Sequence, residues 1–279
     1  LACGADIDET NCVRKHVSAV GGGALAAACP AARIHVLVVS DVVGDRLDVI
    51  GSGPCTGDPS TYGEALEIVA RRGIRPRLPE AVLRHLEAGA RGAVAETVKP
   101  GAPTLRRVHA TIVARNADAR AGVVRAVARD EVEAIDLGEI LAGEARIAGR
   151  RLVSLARSLS RDAPRLLVAG GETVVTLRGR GRGGRSQELA LAAAIELAEG
   201  GDASRIFVLA AGTDGRDGPT DVAGGFVDAG SVGRARAAGL DPYRLLADND
   251  AYRFLEAADG LVRTGPTGTN VMDLSLIHI

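Results

Sequence analysis

Four stretches of this chain hold residue types that can do chemistry, and three of them follow an apolar run. The first is GTDGRDGPTD (212–221), where Asp214, Asp217 and Asp221 sit in a Gly/Pro loop directly after IFVLAA. Carboxylates beyond the carboxyl end of a strand suit Mg²⁺, which is held by one or two of them plus phosphates and water. The alternative is Asp serving turn geometry alone. DGRDG resembles part of an EF-hand loop, but no Glu follows at the calcium-ligating offset. The second is SDVVGD (40–45), near GSGP (51–54), where Asp41 suits either a base for a substrate hydroxyl or a turn cap.

The third stretch is GGETVVTLRGRGRGGRSQE (170–188). Arg178 to Arg185 contains only arginine and glycine, and a helix-like run follows. Gly179, Gly181, Gly183 and Gly184 let backbone N–H groups approach an anion, and Arg185 stands at the helix entrance, where the dipole is positive. The other readings are an RGG-type nucleic-acid segment and a mobile connection with solvated arginines. The loop is short and lacks aromatics, which disfavours single-strand binding. No GxxxxGK[ST] occurs, so it is not a Walker A loop. The fourth stretch is TGPTGTN (264–270), whose small hydroxyl and Gly residues fit a phosphate-binding turn with Asn270 orienting a ligand. His35 lies inside an apolar strand, and His16 in the basic run VRKH suits a solvated helix face; neither is read as a general base.

These loops need a scaffold, and the apolar runs supply one. Strands are expected at 34–40, 109–114, 132–137, 165–169, 172–178 and 205–210. Helices are expected at 62–72, 79–88, from a cap at Asn116, and at 145–160, 187–198, 231–238 and 250–258. The alternation predicts a doubly wound α/β sheet, with a domain boundary at about residues 162–164. The chain has 279 residues, 46% hydrophobic and 25% charged, the balance of a globular protein. Aromatics are only 2%, so the core must be built from Ala, Val, Leu and Ile. A net charge of −1 provides no field to recruit nucleic acid or an acidic membrane. The four cysteines form no CxxC pair, which favours reduced thiols in a cytoplasmic protein over disulfides or zinc. No apolar run approaches the roughly 20 residues of a membrane span.

The loops in order resemble the MOFRL-type glycerate 2-kinases: SDVVGDRLDVIGSGPCTGDPSTY, GGETVVTLRGRGRGGRSQELALAAAIEL, LAAGTDGRDGPTDVAGGFVD, LADNDAYRFLE and TGPTGTNVMDL, with NCVRKHVSAVGGGALA before them. The resemblance runs from Leu1 to Asp273. It implies two α/β domains with the active site in the cleft between them: a partial Rossmann-like first domain (1–162) and a MOFRL domain (163–273). It implies ATP-dependent phosphorylation of D-glycerate to 2-phosphoglycerate with Mg²⁺, and no nucleic-acid or membrane partner. By motif, Asp41 binds or activates glycerate, and Arg185 holds a carboxylate or the transferring phosphate. Asp214 faces the metal or the nucleotide phosphates, with Asp221 as a second metal ligand, and Asn270 completes the pocket. Gly181, Gly183, Gly184, Thr213 and Gly268 contact the nucleotide. The competing readings are an NAD(P)H-dependent hydroxypyruvate reductase, for which GRGRGG formally matches GxGxxG, and a noncatalytic nucleotide-binding module.

Three departures from the family pattern stand out. Its upstream Gly-Lys element has no counterpart here, and Gly21 stands where the family tends to carry lysine. The last six residues, LSLIHI, back-translate to CTGTCTCTTATACACATC, a transposon-type sequencing adapter, so 274–279 are expected to be a foreign tail in place of the family's final strand. On this reading the chain is a truncated piece of a kinase and inactive by itself.

Overall fold

The computed structural model describes residues 3–128, 130, 132–159, 163–201 and 203–279. Helices and strands form where local chemistry starts them. Asp6 and Glu9 make a capping box at the head of α1 (Ile7–Val17), and Thr61 and Glu64 make another at α3 (Tyr62–Arg71). Between them lie α2 (Ala24–Ala28) and β1 (Ile34–Val39). Then come α4 (Glu80–Ala90), which starts after Pro79, and β2 (Val108–Ala114). β1 and β2 form a two-stranded sheet. The helices α1, α3 and α4 close on a small core of Cys12, Tyr62, Ala65, Ile68, Val69 and Leu86.

The rest of the chain follows as α5 (Asn116–Val127), β3 (Glu133–Asp136), α6 (Ala145–Ser158), β4 (Arg165–Gly171), α7 (Arg185–Glu199) and β5 (Phe207–Gly212). It ends with β6 (Gly224–Val227), α8 (Ser231–Ala237), α9 (Pro242–Ala247), α10 (Ala251–Ala257), β7 (Leu261–Val262) and β8 (Asp273–His278). The sheet order is β3-β4-β8-β5-β6-β7. Only β3 and β4 pair in parallel; β8 runs antiparallel to both β4 and β5, and β6 antiparallel to β5 and β7. The protein is α/β, but this sheet is mixed and not the doubly wound parallel sheet that strand–helix alternation predicted. Alternation could not reveal that the last strand inserts in the middle with reversed direction.

Two compact units emerge: Leu1–Val38 with Gly44–Val113, and Val39–Val43 with Ala114–Ile279. The boundary expected at 162–164 falls within the second of these, and its first residue, Asp162, lies outside the described residues, as does Ser160. The second unit's core is aliphatic, as the composition required. α7 is buried along most of its length because alanines let neighbours approach closely: a Cβ on Gly149 of α6 would collide with the Leu189 carbonyl.

Two expected elements differ. Residues 172–178 form no strand; Gly171 and Val174 make only isolated bridges to Leu141 and Glu144, and Leu177 is exposed. Asn116 does not cap α5, whose N-cap is Arg115. Asn116 is buried and donates through Nδ2 to the carbonyls of Val271 and Asp273, at 2.8 and 3.1 Å.

The hexapeptide 274–279, expected as a foreign tail, forms most of β8 at the centre of the sheet. Its alternation places Ser275, Ile277 and Ile279 in the interior. Ser275 Oγ is buried there without a hydrogen-bond partner, a cost that a strand suited to this place avoids. The structure predicts that Ile277→Ala lowers unfolding free energy by about 2–5 kcal/mol in urea denaturation. An undocked tail would give no change.

Candidate functional site

The second unit contains a pocket of about 460 Å³ lined by Val39, Asp41, Asp214, Gly268, Thr269 and Asn270. Asp41, Asp214 and the pair Gly268 and Asn270 were read from three separate loops of the sequence, and the fold brings them to one place. Asp214 follows β5, and its Oδ1 accepts from the Arg216 amide at 2.9 Å in an Asx turn. The 264–270 loop is tied to the same strand end. The Thr267 amide donates to the Asp214 carbonyl at 3.2 Å, and Thr267 Oγ1 donates to the Thr213 carbonyl at 2.6 Å. Asn270 Oδ1 accepts from the Met272 amide. Among the described residues the amides of Gly268 and Asn270 donate to no acceptor. Thr213 does not line the pocket. Its hydroxyl bridges the Met272 carbonyl and the Val271 amide, fixing the chain that leads into β8.

Arg185 sits beside this pocket, linked to it through two carboxylates. Its Nε and Nη2 donate to the two oxygens of Asp273 at 2.5 and 3.0 Å, a bidentate fork, and Nη1 donates to Glu172 at 2.5 Å. Burial works against its charge, but Asp273 and Glu172 more than offset that and hold the guanidinium's pKa above its ordinary value. Burial pushes Glu172 up; Arg185 opposes this, while the charges of Asp273 and Asp41 add to it. Burial pushes Asp273 up as well, against the pull of Arg185, with Asp214 adding to the rise. The predicted ligand arginine is therefore held by internal carboxylates, with two of its five N–H donors uncommitted.

The Gly/Arg loop is organised by another acidic segment. The amides of Arg178 and Gly179 donate to Asn249 Oδ1 at 2.7 and 3.1 Å. Those of Arg180 and Gly181 donate to the side chain and carbonyl of Asp248, and that of Arg182 to Asp250. A Cβ on Gly179 or Gly181 would collide with Asp248 or Asp250, so glycine is required here for close passage of two chain segments. Asn249 also donates to Glu188 of α7 at 2.8 Å, and Glu188 pairs with Arg146.

The head of α7 is likewise occupied. Gly184 stands at its N-cap position without a side chain. Asp217 provides the cap from another loop, accepting from the Ser186 and Gln187 amides at 3.1 and 2.8 Å. The anion at this helix terminus is thus an internal carboxylate, and Gly181, Gly183 and Gly184 do not line the pocket. Asp221 does not line it either; it pairs with Arg263 and Arg182, and the hydrogen bond from Arg263 holds its carboxyl below the usual range.

Sequence reasoning missed Glu172, Asp273 and the 248–250 turn. Each lies inside a stretch that carried the family resemblance, but their partners are far away in sequence. His35 lies in β1, as expected, but His16 is not on a solvated face. His16 is buried, with Nδ1 on the Cys12 carbonyl at 2.7 Å and Nε2 near Glu96 at 3.3 Å. His35 is exposed and stacks on His109.

Comparison with known proteins places this arrangement. The MOFRL family model matches residues 165–273, and a domain of unknown function (DUF4147) matches residues 1–87. A glycerate kinase of Macaca fascicularis is 35% identical over 100% of this chain and 80% of its own length. The chain belongs to the MOFRL-type glycerate kinase family. A glycerate 2-kinase of Pyrococcus horikoshii is 40% identical over 97% of this chain and 61% of its own. A protein of Agrobacterium vitis named putative hydroxypyruvate reductase is 42% identical over 100% of this chain and 62% of its own. The crystal structure of a Thermotoga maritima glycerate kinase superposes with a TM-score of 0.83 at 40% identity, covering 100% of this chain and 64% of that one. The chain thus spans under two thirds of the length of several of its relatives.

Burial raises Asp217 from 3.8 to about 6 even though three hydrogen bonds to its carboxylate oppose the rise. The folded protein binds this proton more tightly than the unfolded chain. The group's contribution to stability is therefore greatest below about pH 4 and falls by about 3 kcal/mol as pH rises through about 6. Unfolding measured against pH should show that fall in the native sequence and a flatter profile in Asp217→Asn. Equal profiles would exclude Asp217 as its source.

Proposed function

We propose that this chain carries the phosphoryl-transfer site of an ATP-dependent glycerate 2-kinase, working in the cytoplasm on a small hydroxy acid. The observation that supports this reading is the convergence of Asp41, Asp214 and the 268–270 loop on one pocket. Phosphoryl transfer needs positioning and charge neutralisation more than covalent chemistry. The pocket combines two carboxylates with the unpartnered amides of Gly268 and Asn270. The amides suit phosphate oxygens, and the positive φ of Gly268, 77°, turns the chain for that approach.

The donor set fits Mg²⁺, since Asp41, Asp214 and the Asn270 amide offer only oxygen to a cation and the neighbouring Glu172 and Asp273 deepen the negative potential. Bound there, Mg²⁺ would neutralise the triphosphate. Asp41 accepts the proton of the glycerate 2-hydroxyl as that oxygen bonds to the γ-phosphorus. The bond to ADP breaks, and 2-phosphoglycerate forms. Arg185 offers its two free N–H groups to the glycerate carboxylate or the moving phosphoryl group, while Asp273 and Glu172 hold its plane fixed.

The reductase reading requires a pyrophosphate cradle in the Gly/Arg loop. The amides of residues 178–182 already donate to residues 248–250, so that loop is closed to a dinucleotide in this form. Thermal unfolding of the chain with each nucleotide tests the kinase reading, because a ligand that binds only the native state raises its midpoint. Mg²⁺–ATP should raise the midpoint and NADH should not. Asp214→Asn should remove most of the ATP effect. Protection by NADH alone, or ATP protection that survives Asp214→Asn unchanged, would contradict the assignment.

A further inference from the structure

The first unit holds a cavity of about 370 Å³ that the kinase reading does not use. Its wall includes Lys15 of α1, Ser18 just after that helix, Tyr62, Glu96 and Thr97, with alanines of α2. Lys15 is 5% exposed, an unusual place for an ammonium group. Among the described residues its one hydrogen bond is long, 3.4 Å to Asp58 Oδ1, and Asp48 stands 3.9 Å away.

Asp58 has closer partners than that lysine. Its Oδ1 accepts from the amide and hydroxyl of Ser60 at 3.1 and 2.7 Å, and its Oδ2 accepts from Thr97 at 3.0 Å. Burial raises the Asp58 carboxyl, but these hydrogen bonds and Lys15 bring it below its ordinary value. Two of the three ammonium N–H groups of Lys15 therefore have no acceptor among the described residues. Ser18 adds a third unmatched donor. Its oxygen accepts from the Val20 and Gly21 amides, while its own O–H donates to nothing.

The carboxylate on the wall cannot satisfy these donors. Glu96 Oε1 accepts from the Tyr62 amide, and Oε2 is shared between His16 and Lys99. A buried cation with unmet donors, beside a free hydroxyl, stabilises an anion that supplies the missing acceptors. We propose that this cavity binds a small oxyanion, a carboxylate or phosphate group, through the Lys15 ammonium and the Ser18 hydroxyl. The proposal does not rest on the kinase reading, since its residues belong to the first unit and that pocket to the second.

The test is an amide NMR titration of the 279-residue chain with inorganic phosphate and, separately, with D-glycerate. The shifts of Ser18, Gly21 and Thr97 should saturate with at least one of them, and the anion that saturates them identifies the source. Lys15→Met should weaken that affinity roughly tenfold or more, as loss of a charged hydrogen bond does. If far-UV circular dichroism shows that Lys15→Met is unfolded, Ala27→Glu decides, because it sets a negative charge on the cavity wall and leaves Lys15 intact. No saturable shift with either anion means a cavity holding only water and overturns the proposal. Unchanged affinity in the deciding variant overturns it as well.

Discussion

The fork of Arg185 on Asp273 is the contact on which the second unit's site depends. It joins the first residue of α7 to the first residue of β8, the central strand of the sheet. Arg185 is half-buried, and its partly desolvated charge is compensated by carboxylates, of which Asp273 is itself buried and tolerable there beside such a cation. Asp273 and Glu172 touch it directly, and Asp217, Asp214 and Asp41 stand in the same field. The excess of negative charge is what the proposed Mg²⁺ would neutralise at the neighbouring pocket.

Backbone geometry fixes this cluster from several sides. Asn116 at the start of α5 donates to the carbonyl of Asp273 and so sets where β8 begins. Thr213 clasps the same segment from the end of β5. Asp217 anchors the head of α7, and Asn249 ties the Gly/Arg loop to Glu188 one turn further along that helix. Each link is a polar side chain bound to distant backbone, the arrangement that holds a site to a narrow geometry.

Much of this was legible in the sequence, and the failures have physical causes. Local signals worked: the helix starts near residue 62 and at Pro79, and the mostly aliphatic core, followed from residue type and spacing. Asp41 and Asp214 share a pocket because both sit in loops at strand ends, and the 264–270 loop joins them through its hydrogen bonds to residues 213 and 214. The Gly/Arg loop misled because its anions come from residues 217 and 248–250, which adjacent sequence cannot show. The strand expected at 172–178 failed because alternation exists there without a neighbouring strand to complete a ladder. His16 was placed in solvent because a basic run on a short helix gives no sign of the carboxylates that bury it. The hexapeptide 274–279 enters the sheet because apolar alternation is all that a central antiparallel strand demands.

The most direct measurement is a crystal structure with D-glycerate, Mg²⁺ and a nonhydrolysable ATP analogue. The account predicts phosphate and metal density between Asp41, Asp214 and the 268–270 loop, with the Arg185–Asp273 fork intact and the 178–182 amides still on residues 248–250. Phosphates seated on those amides instead, with the 248–250 contacts broken, would contradict it.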